Sequence, residues 1–183
     1  MNTGVTTDGG ACDILDMTGF NYITHTYDDF REKVPPICRC WAAKTTVLFK
    51  LAVFTRPTTA RILSTVTTVK PLLWGNTYRD GFKQVDTRPH IMGLFIWTGF
   101  DYRGEPTPFE WPSIGTQFGI MDTCGFKKDA FYLNKAFFTD EPMIHILPHW
   151  NFADGEEVRV MTHTNCSEAE LFLKRQIARQ KER

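Results

Sequence analysis

A continuous apolar run near the middle of the chain constrains the fold more than any other feature. Residues 91–97 read Ile-Met-Gly-Leu-Phe-Ile-Trp, without a charged or hydroxyl side chain among the seven. Such a run is typical of a strand buried on both faces, as in parallel sheets that are covered by helices. It falls far short of the roughly 20 apolar residues that a membrane-spanning helix requires. We therefore expect an α/β fold, and we predict no membrane partner.

Patterns on both sides of this run predict the alternating elements of an α/β domain. Pro35 and Pro36 end one candidate helix, and Asp129 is placed to cap another. The predicted elements are a strand over Asp13–Tyr22, helices over Tyr27–Lys33, Trp74–Val85 and Ala130–Phe138, an apolar segment over Met143–Trp150, and an irregular loop over Arg103–Gln117. Long loops without secondary structure are uncommon and often functional, so the loop is a candidate site.

The pattern changes after Gly155. Val158, Val160 and Thr162 alternate with Arg159, Met161 and His163, and residues 171–173 form a second short apolar stretch. This period of two predicts antiparallel strands joined by a turn. The sequence thus predicts the end of an α/β domain followed by the start of a β-domain, with the boundary near Trp150.

Charge is balanced overall but not along the chain. There are 21 basic and 21 acidic residues, which disfavours a globally basic nucleic-acid-binding protein. Lys33–Arg79, however, contains eight Lys or Arg and no acidic residue. Three interpretations are open: a basic arm for nucleic acid or anionic lipid, a solvated segment, or a peptide translated out of frame.

Candidate metal and disulfide sites are weak. His145 and His149 have helical ligand spacing, but Pro148 lies between them and no third ligand is in register, which favours a structural role. Cys38 and Cys40 lack the spacing and the second pair of a zinc site. Five cysteines at irregular spacing define no disulfide framework, and the first sixteen residues lack the pattern of a signal peptide. We predict no metal site and identify no cofactor or compartment.

Three side chains near the end of the apolar run are candidates for chemistry. Asp101 and Glu105 form either a carboxylate pair for acid/base work or, as we favour, acceptors that hold the loop. Trp97 ends the predicted strand at the carboxyl edge, where α/β barrels place their sites. An indole there offers a sugar a flat apolar face and one N–H donor, although a core tryptophan fits the pattern equally well.

The segment Gly93–Phe109 closely resembles glycoside hydrolase family 2, in its β-galactosidase branch. Further matching segments cover, together with this one, about two thirds of the chain. They are Asp16–Tyr22, Trp111–Ser113, Gln117–Phe126, Lys128–Asp129, Glu141–Met143, Leu147–Asn151 and Asn165–Leu173.

The resemblance implies a fold and a function. The fold would be part of a (β/α)8 TIM barrel over 1–150, followed by the beginning of an immunoglobulin-like β-sandwich over 151–183. The function would be that of a retaining β-galactosidase acting on a β-galactoside in carbohydrate metabolism, with a homo-oligomeric full-length relative. Trp97 and Asp122 occupy positions that line the sugar site in the family. β-Glucuronidase and β-mannosidase are the alternative specificities.

Neither catalytic carboxylate of the family has a counterpart here. The acid/base Glu is expected upstream of Asp16, and the nucleophile is expected in a Gly-Ser-Glu-like segment between Arg31 and Trp74, where no such Glu occurs. In a shifted reading frame, each new codon consists of the third base of one codon and the first two bases of the next. In this frame the codons of residues 40–42 must encode Leu-Gly. It then permits Ser-Glu-Asn-Asn-Ser-Ser-Ile-Gln-Thr-Arg-Cys-Val-Tyr, which resembles the family's nucleophile segment.

The end of the chain behaves similarly. Residues 174–179, read with the last two bases of each codon and the first of the next, permit Asn-Gly-Lys-Ser-Leu-Gly, and Asn-Gly is a strong hairpin signal. We therefore predict that 33–73 and 174–183 are out of frame, and that the chain is an inactive fragment. A carbohydrate-binding remnant and an interaction protein using the basic stretch are the alternatives.

Overall fold

The computed structural model divides the chain into two units, which meet in the sequence between Gly119 and Ile120. The residues that it describes are 16–33, 39–44, 48–49, 70–71, 77–106, 109–148, 152–173 and 176–182. Both helices and strands are present, so the expected mixed α/β content is confirmed. The predicted domain boundary near Trp150 stays a prediction. No helix in the described ranges is long and apolar enough to cross a membrane.

A parallel sheet forms the centre of the first unit. Its strands are β1 (Met17–Asn21), β2 (Arg39–Lys44) and β5 (Ile91–Leu94), in the order β1-β2-β5. All neighbours are parallel, as the apolar run predicts. Parallel neighbours require crossover connections, and helix α1 (Tyr27–Lys33) lies in the first of these. A short antiparallel pair, β3 (Leu48–Phe49) and β4 (Lys70–Pro71), lies between β2 and β5 in the sequence.

The core of this unit lies between the sheet and its helices. Phe20 on β1 is fully buried, and its ring centroid lies 5.3 Å from that of Tyr27 and 4.8 Å from that of Phe30, both on α1. The other buried side chains of this unit include Thr18, Ile23, Tyr78, Phe82, Ile91, Leu94, Thr116 and Phe118. Side chains alternate across a strand, so the face of β1 that carries Thr18 and Phe20 packs inward.

Helix α2 (Tyr78–Asp86) packs against β5 and begins at a side-chain cap. The Thr77 hydroxyl oxygen accepts a hydrogen bond from the Asp80 N–H at 3.1 Å, which satisfies one of the free donors of the first turn. The predicted helix over Trp74–Val85 is therefore confirmed within its described part, since residues 74–76 lie outside the described residues.

An ion pair links α1 to the residues that follow α2. Arg88, just after α2, donates from Nε to Asp28 Oδ1 at 2.9 Å and from Nη2 to Asp28 Oδ2 at 2.7 Å. The hydrogen bonds from Arg88 hold the pKa of Asp28 on α1 below its ordinary value. Both oxygens of one carboxylate are engaged, which fixes the guanidinium plane as well as its position.

The expected burial of the whole apolar run is wrong. The strand itself ends at Leu94, and Ile91 and Leu94 are buried, but Met92 is 45% and Phe95 60% exposed. Helix α2 packs against β5, whereas these two side chains stay open to solvent in the described part of the chain. Only a second covering layer would bury both faces of the strand.

The described residues of the second unit form one helix and two antiparallel strand pairs. Helix α3 (Asp129–Phe138) contacts both strands of the first pair, β6 (Ile144–Leu147) and β7 (Met161–Thr164). The second pair is β8 (Glu168–Leu173) with β9 (Gln176–Glu182). The predicted helix is confirmed, but Lys128 rather than Asp129 is its N-cap, so Asp129 is the first helical residue. An acid in the first turn still favours the helix dipole.

The strand pairing differs from the one expected for a hairpin over 158–173. β7 pairs with β6, and β8 pairs with β9. The Asn165 side chain explains why the chain turns away after β7. Its Oδ1 accepts from the Met143 N–H at 2.9 Å, and its Nδ2 donates to the Thr139 and Glu141 carbonyl oxygens, each at 2.8 Å. These bonds hold the end of β7 against the chain that leads into β6.

Candidate functional site

The carboxyl ends of the three parallel strands lie at one edge of the first unit's sheet. Asn21 on β1 pairs with Lys44, the last residue of β2, and Ala42 on β2 pairs with Leu94, the last residue of β5. In parallel α/β sheets, ligands bind at this edge because the loops that follow the strands converge there. Trp97 follows β5 at this edge, as the sequence predicts.

Trp97 is only partly buried, and its side chain contacts neighbouring residues. Its side chain is 36% exposed, which leaves one part of the indole accessible to a ligand. The Trp97–Thr98 peptide is cis, and the Thr98 N–H donates to the Phe118 carbonyl oxygen at 3.4 Å. The indole N–H donates to the phenolic oxygen of Tyr102, whose ring meets the indole edge-on at a centroid distance of 6.1 Å. The donor that we expected for a sugar is therefore occupied by Tyr102.

Tyr102 passes this contact on to Glu105. Its hydroxyl donates a short hydrogen bond to Glu105 Oε2, so Trp97, Tyr102 and Glu105 form a chain of two hydrogen bonds. Burial raises the pKa of Tyr102, and the hydrogen bond to Glu105 raises it further. We call these three residues the Trp97 chain. Glu105 is exposed, so its carboxylate stands at the rim of the site.

Tyr22, the residue after β1, lies close enough to the Trp97 chain to feel its charge. Its φ of 65° places a non-glycine residue in the left-handed region, which costs roughly 1–2 kcal/mol and is frequent at functional sites. Burial raises the pKa of Tyr22 to about 12, with a further contribution from the negative charge of Glu105. The two phenols and the carboxylate are therefore close enough to act on one another. Tyr22 also packs against the buried Phe118.

The loop that carries the Trp97 chain is held by pairing across its base. The Thr116 N–H donates to the Tyr102 carbonyl oxygen at 2.7 Å, and the Tyr102 N–H donates to the Thr116 hydroxyl at 3.0 Å. Gly115 lies so close that an added Cβ would come within 3.1 Å of the Tyr102 oxygen. The predicted irregular loop thus contains a short antiparallel bridge, between Arg103 and Gly115.

Asp101 has the structural role that we favoured. Its Oδ1 accepts from the Gly119 N–H at 2.8 Å, which fastens the start of the loop to its end. Glu105 accepts from Tyr102, whereas the favoured interpretation named backbone groups and Arg103. No hydrogen bond among the described residues joins the two carboxylates to each other.

Asp122 lies in the second unit, and its role as a sugar ligand stays a prediction. Its Oδ1 accepts from the backbone N–H groups of Cys124 at 2.8 Å and Phe126 at 2.9 Å. The turn closes on Gly125, whose φ of 87° suits glycine. One carboxylate oxygen therefore stabilises the turn.

The contacts of His145 are those of a residue that stabilises the fold. Its ring stacks on Tyr132 at a centroid distance of 3.8 Å, and its Nε2 lies 2.8 Å from Asp129 Oδ1. His149 and Cys38 lie outside the described residues. Within the described ranges, no three or more His, Cys, Asp or Glu side chains are grouped so as to hold a metal ion.

The chain is similar to known β-glycosidases. It is 45% identical over 101 residues to beta-galactosidase BoGH2A of Bacteroides ovatus, a match that covers 55% of this chain and 12% of that protein. It is 42% identical over 94 residues to a putative beta-glucuronidase of Formosa agariphila, covering 46% of this chain and 9% of that protein. No family model matches. The chain thus spans about a tenth of the length of these relatives.

Solved structures give the same result. A beta-glycosidase from Bacteroides vulgatus matches with a TM-score of 0.66 and 26% identity over 95% of this chain and 27% of that one. A glycosyl hydrolase family 2 member from Bacteroides cellulosilyticus shares the fold, with a TM-score of 0.63 and 22% identity over 92% of this chain and 23% of that one. The chain is therefore similar to a beta-galactosidase and shares the fold of glycosyl hydrolase family 2 members.

Sequence reasoning missed two residues of this candidate site, Tyr22 and Tyr102. Both lie inside segments that resemble the family, Asp16–Tyr22 and Gly93–Phe109, so the signal was present. What single-residue reasoning could not supply is the left-handed backbone that turns Tyr22 toward the loop and the hydrogen bond that makes Tyr102 a partner of Trp97.

Proposed function

We propose that this chain contains the sugar-binding part of a β-galactosidase-type site and that the polypeptide with this sequence does not hydrolyse glycosides. The observation that carries the proposal is Trp97, which is partly exposed at the carboxyl edge of a parallel sheet and oriented by Tyr102. A flat indole face next to polar groups is suited to the apolar face of a sugar ring.

Relatives of both specificities support a β-glycosidase, and β-glucuronidase is the alternative to β-galactosidase. The Arg103–Pro108 loop favours β-galactosidase because it resembles that branch. We further propose that 1–150 is part of a (β/α)8 barrel and that 151–183 begins an immunoglobulin-like β-sandwich. The parallel order of β1, β2 and β5 supports the first assignment, and the antiparallel hairpin of β8 and β9 supports the second.

Hydrolysis with retention needs two carboxyl groups about 5 Å apart, one that attacks the anomeric carbon and one that protonates the leaving oxygen. We propose that the attacking residue is lost because 33–73 is out of frame. The alternative frame permits Glu across the codons of Ala43 and Lys44, which are the last two residues of β2. This supports the proposal because β2 ends at the same edge as β1 and β5, where Trp97 follows.

Exposed apolar surface supports the interpretation as a part of a larger fold. Large apolar side chains that are about half exposed or more in the described residues include Met92, Phe95, Phe100, Trp111, Ile114, Phe126, Phe138, Ile144, Phe172 and Leu173. Large apolar side chains that are exposed in such number are available to pack on another surface or to aggregate. We therefore expect low solubility for the isolated chain.

The test has a genetic arm and a biochemical arm. Sequencing of the locus is expected to show a frame that encodes a Gly-Ser-Glu-like peptide across Trp41–Lys44; its absence would refute the frame explanation. Purified chain is expected to bind galactose in a calorimetric titration and to leave nitrophenyl β-galactoside unhydrolysed. Turnover by the printed polypeptide would overturn the proposal, and binding of nitrophenyl β-glucuronide in preference to the galactoside would favour the alternative.

A further inference from the structure

The Trp97 chain ends in a carboxylate at the rim of the proposed sugar site. The indole N–H donates to Tyr102, and the Tyr102 hydroxyl donates to Glu105 Oε2. We propose that Glu105 is a specificity-determining residue, whose charge makes this site select neutral hexosides over anionic uronates. The inference rests on the proposed function, because it assigns the substrate class of the same site.

The geometry fixes how close Glu105 lies to a bound sugar. Tyr102 links the two residues, since its ring centroid lies 6.1 Å from that of Trp97 and its hydroxyl donates to Glu105 Oε2. For a sugar stacked on the exposed part of this indole we take a separation of roughly 7 Å, a little over two hydrogen-bond lengths, between its substituents and the carboxylate. Tyr102 holds Glu105 in this position, so the charge does not depend on a freely rotating side chain.

No ion pair of Glu105 is present among the described residues. The field of Glu105 reaches Tyr22 as well as Tyr102, since it contributes to the raised pKa of both phenols. Asp101 adds a second carboxylate to the same loop. Arg103 lies between the two in the sequence and is exposed, and it forms no ion pair with Glu105 in the part of the chain that the structure describes.

A uronate differs from a hexose by one carboxylate, so the expected discrimination is a Coulomb term between two negative charges. At roughly 7 Å this repulsion weakens uronate binding about threefold in the dielectric of water and about fiftyfold at an effective dielectric of 20. Because Glu105 is exposed, the effect is screened by salt and should shrink when ionic strength rises from about 10 mM to about 500 mM. A uronate site would instead need a cation facing the ligand.

The experiment compares dissociation constants of the full chain for methyl β-galactoside and methyl β-glucuronide by ligand-observed NMR at low salt. The wild type should bind the galactoside more tightly. Glu105→Gln should lower the ratio of the dissociation constant for the glucuronide to that for the galactoside by about threefold to fiftyfold. Glu110→Gln is the matched control, since it removes an exposed carboxylate from the same loop without touching the Trp97 chain. This variant should leave the ratio unchanged.

Three results would overturn the inference. The ratio is unaffected by Glu105→Gln, it changes equally with Glu110→Gln, or the wild type prefers the glucuronide. In each of these cases a sugar still binds, so the proposed sugar site stands while the role of Glu105 fails. Binding of neither sugar by a chain with native circular dichroism refutes the site itself and the proposed function with it.

Discussion

Replacement of Asn165 by alanine should lower the free energy of unfolding of the second unit by about 2 kcal/mol. The amide accepts from the Met143 N–H and donates to the carbonyl oxygens of Thr139 and Glu141, with all three distances between 2.8 and 2.9 Å. A net contribution of about 1 kcal/mol per hydrogen bond sets a ceiling of about 3 kcal/mol. Water can replace the amide at the exposed Glu141, which lowers the expected loss to about 2 kcal/mol.

The assay is urea unfolding of dilute protein followed by circular dichroism, with two comparison variants. Asn165→Asp keeps the acceptor but sets a carboxylate against two carbonyl oxygens, so it should be at least as destabilising as alanine. Asn134→Ala makes the same chemical change at a buried amide whose Oδ1 has no hydrogen-bond partner and should alter stability by less than about 1 kcal/mol. An Asn165→Ala variant within about 0.5 kcal/mol of wild type would refute the reasoning.

Three further predictions concern the first unit. Tyr102→Phe removes the hydroxyl of the Trp97 chain. In a double-mutant cycle with Glu105→Gln, we expect the free energies of unfolding to show a coupling of about 1 kcal/mol, and additive effects would contradict the hydrogen bond. Because the pKa of Tyr22 is raised, the neutral phenol contributes stability that is complete below about pH 10 and is lost between about pH 10 and 12. Absorbance at 295 nm should show that the pKa of Tyr22 is lower in Glu105→Gln than in the wild type. An unchanged midpoint would exclude the charge of Glu105 as a cause. Phe20→Ala should cost about 3–5 kcal/mol in urea unfolding, and a loss below about 1 kcal/mol would show that the core closes differently.

Local patterns predicted two helices of this chain well because each has a boundary signal in the sequence. Pro35 lies two residues beyond the end of α1, and Asp129 is the first residue of α3. Strand pairing was harder, since an alternating pattern shows that a segment is a strand but not which strand it joins. The pairing of β7 with β6 is reinforced by the three bonds of Asn165, which involve residues more than twenty positions away.

The site was only half predictable for a related reason. Trp97 could be chosen from the sequence because its place after an apolar strand sets its surroundings. Tyr22 and Tyr102 acquire their roles from a left-handed residue and from a hydrogen bond, and neither leaves a periodic pattern. The exposure of Met92 and Phe95 was missed because an apolar run reports what a strand prefers to contact, not whether that contact is present.

The position of β2 shows how fold and chemistry separate in this chain. Parallel pairing uses backbone N–H and C=O groups, so Arg39–Lys44 can lie between β1 and β5 whichever side chains the segment carries. Glycoside cleavage instead depends on the identity of one side chain at the carboxyl end of that strand. If the frame explanation is correct, a change of frame preserves the backbone position and removes the nucleophile, and Trp97 then faces an edge that can hold a sugar without cleaving it. A variant encoding the alternative peptide over 41–55 in the same chain tests this separation: it should keep the sugar affinity of the original chain, and a large loss of affinity would show that this segment contributes more than the position of its backbone.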